Sequence, residues 1–248
     1  MPLDYFWQMD KIKGFLKFLS LGLTIGILAV YFSIQSPTTA VTSENLPPLK
    51  VHPLPVTLAE WQDLNHSGDY FDRVEVQDVG YLLWWRFPIR VYVEDSQNNP
   101  RSGVVEPYHR SRDWVKTVLD AVWEWDAYLP LEVVDNSEVA DIKIFNKQPP
   151  LEPGNLRARS AETRYQLYRD ENGVLSHRFT IWLSPTQVGK YIPAAARHEF
   201  GHALGIWGHS PVSNDVMYFS QVAEPPPIST RDINTLKHIY LQPTRLGW

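Results

Sequence analysis

The stretch His198-Glu199-Phe200-Gly201-His202-Ala203-Leu204-Gly205-Ile206-Trp207-Gly208-His209 decides how this chain is read. Three of the chain's eight histidines fall here, and a glutamate follows the first. On an α-helix, residues four apart project side by side, one turn apart along the axis. His198 and His202 can therefore share one ion, at about 2.0–2.1 Å from each ring nitrogen if the ion is zinc. Glu199 stands at the edge of the same face. From there it can take a proton from a zinc-bound water, whose pKa the ion lowers to about 7, and later deliver it to a leaving amine. Gly205 is where the helix must stop, because glycine can adopt the left-handed conformation that ends a helix and turns the chain sharply. That turn brings His209 back toward the ion. Three histidines leave a fourth coordination position open, which is the catalytic and not the structural arrangement. A bare pair of histidines four apart is often just two surface side chains. The glycine stop and the third histidine together point instead to a catalytic zinc site in a hydrolase.

Working outward, the helix that carries this motif should start near Pro193, which a helix tolerates in its first turn, and run through Ala194-Ala195-Ala196 into it. Arg164–Arg169 and Arg178–Leu183 read as a hairpin around Asn172-Gly173, a pair suited to a type I′ turn. Leu131–Val134 and Asp141–Phe145 read as short strands, and Ile89–Glu94 alternates in strand fashion. Ser111 is a plausible N-cap for a helix with Trp114, Val118, Leu119, Val122 and Trp125 at helical spacing, ended by Pro130. A last helix spans about Thr230 to Tyr240, with Ile233, Leu236 and Tyr240 on one face. From about Tyr81 onward the pattern is that of an α/β or α+β domain.

The N-terminus carries the second signal. Lys11, Lys13 and Lys17 precede an almost unbroken apolar run, which divides the start of the chain into a basic segment, 1–17, and an apolar one, 18–35. Lysines before such a run and none just after place the N-terminus in the cytoplasm. The run is either a membrane anchor or a signal sequence, with Thr38-Thr39-Ala40 as a tolerable cleavage site. Either reading sends the rest of the chain out of the cytoplasm. Residues 36–80 follow as a Pro-rich linker, with 57–80 either the start of the domain or a pro-like segment packed on it. The domain proper is 81–248.

Bulk numbers narrow the classes. The chain has 248 residues, 44% hydrophobic and 21% charged, which is ordinary for a globular protein. Its net charge of −5 argues against nucleic acid as partner. It has no cysteine, which removes disulfides, thiolate nucleophiles and cysteine zinc sites together.

At this point the chain, from about Tyr81 to its end, resembles the metzincin clan of zinc endopeptidases, and within it matrixin-like catalytic domains of a bacterial envelope type. Ala195-Ala196-Arg197-His198 through Gly205 is similar to the matrixin active-site helix nearly residue for residue. His209-Ser210 is similar to the third ligand and the serine after it, and Asp215-Val216-Met217-Tyr218 to the clan's Met-turn. Ser229 to Asn234 is similar to the start of the C-terminal helix. The resemblance implies an α+β zincin fold: a twisted, mostly parallel five-stranded sheet with one antiparallel edge strand, a backing helix, an active-site helix and a C-terminal helix. It implies one catalytic zinc on His198, His202 and His209, with Met217 beneath it as a hydrophobic base and not a ligand. It also implies a peptide or protein substrate laid in extended form along the edge strand, Arg164–Arg169.

The sequence departs from that family in three ways. The clan has two residues between the glycine and the last histidine; here Ile206, Trp207 and Gly208 make three. Gly208 can absorb the extra residue as a bulge, and Asp215 is the remote alternative ligand. No thiol can silence a zymogen, so an inhibitory pro-segment would need a carboxylate, for which Asp69 in Ser67-Gly68-Asp69 is the candidate beside an ordinary turn. Loops for structural calcium or a second zinc are not identifiable.

Other residues read more plainly. His238 is a packing or surface histidine, and His52, His66, His109 and His177 are solvated. Tyr218 is a pocket wall, and Trp84-Trp85 packing before it is a membrane or substrate patch. Asp69, Asp72, Glu75 and Asp78 form a solvated acidic face. The function expected is zinc-dependent endopeptidase action outside the cytoplasm, with membrane contact through the N-terminal segment. The rivals are a zinc hydrolase of cell-wall peptides and a non-enzymatic envelope module with structural zinc, which would not need Glu199.

Overall fold

Alternation of apolar and polar residues builds the sheet. In β1 (Ile89–Val93), Ile89, Val91 and Val93 are buried while Arg90 and Tyr92 are half-exposed. In β5 (Leu175–Leu183) the alternate residues Leu175, His177, Phe179, Ile181 and Leu183 are all buried. The structure, a computed structural model, describes residues 46–95, 108–151 and 159–248, with only the backbone of 108–111. The segments 1–17 and 18–35, read as basic segment and anchor or signal sequence, lie outside the described residues. Among the described residues no helix is long and apolar enough to cross a membrane.

The sheet has five strands in the order β2-β1-β3-β5-β4. β2 (Leu131–Val133), β1, β3 (Ile142–Asn146) and β5 run parallel, and β4 (Ala161–Arg169) is an antiparallel edge strand on β5. This is an α+β fold with one antiparallel pair. The β4–β5 turn differs from the type I′ expectation: of Asn172 and Gly173 only the glycine has positive φ, at 79°. Gly173 N–H donates to Asp170 O at 2.9 Å and Asp170 N–H to Val174 O at 3.0 Å. Asp170 Oδ1 also accepts from Asn172 and Val174 N–H, which stabilises the longer loop over a two-residue one.

Between β1 and β2 runs α2 (Tyr108–Asp126), following a short α1 (Val56–Glu60). Its buried residues Trp114, Val118, Ala121, Val122 and Trp125 recur at helical spacing. It begins three residues before Ser111, which is therefore inside the helix and not its cap. α3 (Tyr191–Ala203) packs against α2 and against β4 and β5. Arg197 of α3 grips Glu124 of α2 at 2.7 and 2.6 Å, and Trp125 Nε1 donates to Arg197 O at 3.1 Å. α4 (Thr230–Tyr240) opens with a capping box between Ser229 and Asp232 and buries Ile233, Leu236 and Tyr240.

Residues 46–80, read from their prolines and acids as linker and pro-like segment, are laid along the same compact unit as the rest of the described chain. Lys50 exchanges backbone hydrogen bonds with Thr244 at 3.0 and 2.9 Å. Leu58, Tyr70 and Val79 are fully buried in the core. Prolines exclude regular ladders here, but not packing of the side chains between them.

Candidate metal centre

α3 carries His198 and His202 on one face, as its period requires, with ring centroids 4.9 Å apart. The helix ends at Ala203, and Gly205 takes φ 122°. A Cβ there would lie 2.5 Å from the carbonyl oxygen of Leu82, so position and turn both demand glycine. The chain then returns and places the His209 ring 4.8 Å from that of His202 and 5.4 Å from that of His198. One nitrogen from each of the three histidines lies within 4.8 Å of the others. Atoms so spaced share a point no more than roughly 2.8 Å from each, under ~1 Å from a zinc–histidine bond length. The three residues lie close enough to bind one metal ion.

The ring orientations fit that use. His198 Nδ1 lies 2.8 Å from Val216 O, and His202 Nδ1 2.7 Å from Ile206 O. A carbonyl only accepts, so each Nδ1 carries the proton and each Nε2 keeps its lone pair for an ion. All three imidazoles are held below their ordinary pKa: His198 by burial, His202 by burial and the charges of the other two, His209 by burial and His198. The neutral, ligating form is favoured before any metal arrives.

Glu199 is buried beside them. Burial pushes its carboxyl up to about 7, with Glu162 adding to the rise and a hydrogen bond from Thr163 opposing it. Thr163 Oγ1 lies 2.7 Å from Glu199 Oε2 and 3.0 Å from Glu199 O, which ties the side chain to the edge strand. A carboxyl poised near neutrality suits a general base.

Met217 is fully buried under α3, its sulfur pressed so close to Gly201 that a Cβ there would collide with it. Its backbone is held too: Ser210 N–H donates to Met217 O at 2.8 Å. Asp215, the alternative ligand, lies outside the cluster. It accepts from Ser210 Oγ at 2.5 Å, Ser229 Oγ at 2.7 Å and Arg231 Nε at 3.0 Å. Asp69, the candidate inhibitory carboxylate, faces His238 at 3.2 Å and not the centre, and His238 stacks on Phe71.

Two troughs meet at the centre. One, of about 170 Å³, is walled by Tyr191, Ala195, Val216, Tyr218, Val222 and Pro226, with His198 and Glu199 at its mouth. The other is more polar and includes Glu75, Glu162, Trp207 and His209. Phe219, 64% exposed, borders both.

Sequence reasoning missed four contributors. Thr163 was hidden in an ordinary strand alternation. Asp232 was visible only as the start of a helix, yet its Oδ2 accepts Val216 N–H at 2.9 Å and so fixes the carbonyl that holds His198. Tyr70 and Val74 sit in a stretch with no motif at all. His177, expected to be solvated, is buried with neither ring nitrogen hydrogen-bonded, packed between Trp84 and Phe179. Trp84 is likewise core, donating from Nε1 to Ala203 O at 2.8 Å, whereas His66 is exposed. No protein-family model matches the chain, and no curated protein is significantly similar to it.

Proposed function

We propose that this protein is a zinc-dependent endopeptidase with a matrixin-like, metzincin-type catalytic domain, working outside the cytoplasm behind its lysine-flanked N-terminal apolar run. The observation that carries the reading is the convergence of three neutral histidines with a buried carboxyl, Glu199, that is not among the metal-ligating cluster. A structural zinc site has no need of such a carboxyl beside its ligands.

His198, His202 and His209 would hold the ion. When bound, zinc supplies a Lewis acid that polarises the substrate carbonyl and acidifies water. Glu199 accepts the proton of the attacking water and passes it to the leaving amine. Thr163 keeps the carboxyl aimed while this happens. β4 has β5 as its neighbour on one side, and its residues Ala161 to Thr163 border the polar trough on the other. An extended peptide added there would lie across the histidines, held by main-chain hydrogen bonds. The apolar walls of the smaller trough, Val216 and Tyr218 among them, favour an uncharged side chain next to the cut bond.

The test is digestion of an unbiased peptide mixture, and in parallel of cell-wall peptide fragments, by the full-length zinc-loaded protein, with products read by mass spectrometry. The reading expects cleaved internal peptide bonds, and a loss of about 10²–10⁴-fold in Glu199→Gln with zinc retained. Undiminished cleavage in that variant, or products from wall fragments alone, would overturn it.

A further inference from the structure

His209 sits on a loop, so the helical period that aligns His198 with His202 does nothing for it. What holds this loop is the segment from Ser67 to Glu75. Val74 pairs with Gly208 as an antiparallel bridge. Glu75 N–H donates to Trp207 O at 2.9 Å. Arg73 O lies so close over Gly208 that any Cβ at that position would strike it. The residue after this contact is His209. The same segment also reaches the other side of the centre. Tyr70, 1% exposed, donates from its hydroxyl to Asp232 Oδ1 at 2.5 Å. Asp232 Oδ2 accepts Val216 N–H at 2.9 Å, and Val216 O accepts from His198 Nδ1 at 2.8 Å. Arg231 links Ser67 O, at 3.2 Å, to Asp215 at 3.0 Å.

We propose that residues 67–75 are a positioning clamp of the metal centre. They seat His209 directly through Gly208 and Trp207, and His198 indirectly through Tyr70, Asp232 and Val216. The inference rests on the metal-binding reading of the three histidines. Its consequence is that cutting the chain in this segment lowers metal affinity and releases no latent activity. The clamp also explains the third residue between Gly205 and His209: the added length pairs with a second stretch of chain, and glycine is the residue that admits it.

The experiment measures zinc affinity of the full-length protein by competition with a chromophoric chelator, with the visible spectrum of the cobalt-substituted protein and the melting temperature of the metal-free protein beside it. Glu75→Pro removes the N–H donated to Trp207 together with the carboxylate that Glu75 presents to the trough, and Glu75→Gln, which keeps the N–H, isolates the carboxylate's share. Val74 is already extended, at φ −87° and ψ 126°, and so accepts a following proline. Tyr70→Phe removes only the hydroxyl. Lys116→Gln, on the exposed face of α2 and outside the segment, is the control. A clamp predicts a zinc affinity about 10–100-fold lower in Glu75→Pro and about tenfold lower in Tyr70→Phe, with altered cobalt spectra and an unchanged control. Lower melting temperatures with wild-type zinc affinity and cobalt spectra would make the segment merely structural and overturn the proposal. If Glu75→Pro does not fold, Tyr70→Phe decides alone. A wild type that binds no zinc sinks the metal reading as well, whereas wild-type binding with indifferent variants sinks only the clamp.

Discussion

His198 and His202 owe their pairing to one turn of α3, whereas His209 owes its place to contacts more than a hundred residues away in sequence. The first two ligands are local: the spacing of four, the helix and the two backbone carbonyls lie within twenty residues of each other. The third is assembled by the fold, between a strap at 73–75 and the turn at Met217. A metal centre of this kind is half-built by secondary structure and completed by tertiary packing. The helical half should therefore resist perturbations that dislodge the loop half.

The largest effect is expected on the helical half. Glu199→Gln takes away the proposed base while leaving both helix histidines in place, so peptide cleavage is expected to fall about 10²–10⁴-fold with zinc still bound. Zinc loss in that variant would show that Glu199 belongs to the ligand set. Among the ligands, His202→Ala should weaken zinc binding more than 100-fold, and more than His209→Ala does. Chelator competition on the two proteins measures this, and the reverse order would break the distinction between helix and loop. Gly205→Ala attacks the junction of the two halves. Its φ of 122° and the Leu82 carbonyl imply a cost of about 1–3 kcal/mol, read as a fall of about 2–4 °C in melting temperature per kcal/mol.

His177 sharpens the contrast from outside the centre. It is a buried histidine without the carbonyl partner that His198 and His202 possess, and burial lowers its pKa from 6.5 to about 3. The unfolded chain takes up this proton below about pH 6.5 and the folded one does not, so folding stability falls as the pH drops from there toward 3. Near pH 5 the loss is about 2 kcal/mol. His177→Phe should flatten denaturation midpoints between pH 6.5 and 4 while leaving zinc affinity alone. An unchanged slope would show that another group carries the acid sensitivity. The smallest effect belongs to Gly208→Ala, where a methyl pressed on Arg73 O should shift the loop and weaken zinc binding about tenfold, with cobalt spectra as the readout.

Much of this was legible in the chain itself. Strand alternation at Ile89–Glu94 and Arg178–Leu183, helical spacing from Trp114 to Trp125, and the apolar face of Thr230–Tyr240 are local signals, and the structure carries them. His198, His202 and the glycine stop were legible for the same reason, whereas the sequence offered His209 only as a nearby histidine and not the contacts that seat it. Residues 67–75 were not. Their acids and lack of periodicity match a solvated turn, and the contacts that make them part of the centre pair Tyr70 with Asp232 and Val74 with Gly208. His177 was misread because a histidine in a strand gives no sign of which face is covered; only the packing of Trp84 over β5 decides it. The turn at Asn172-Gly173 took a longer form because Asp170, two residues upstream, supplies acceptors that a dipeptide rule does not count.

The measurement that bears most directly on the account is the zinc content of the purified full-length protein, wild type beside His202→Ala, after exhaustive dialysis. The account predicts one zinc per chain in the wild type and almost none in His202→Ala. A wild type without zinc, or a His202→Ala protein that keeps a full complement, would contradict it.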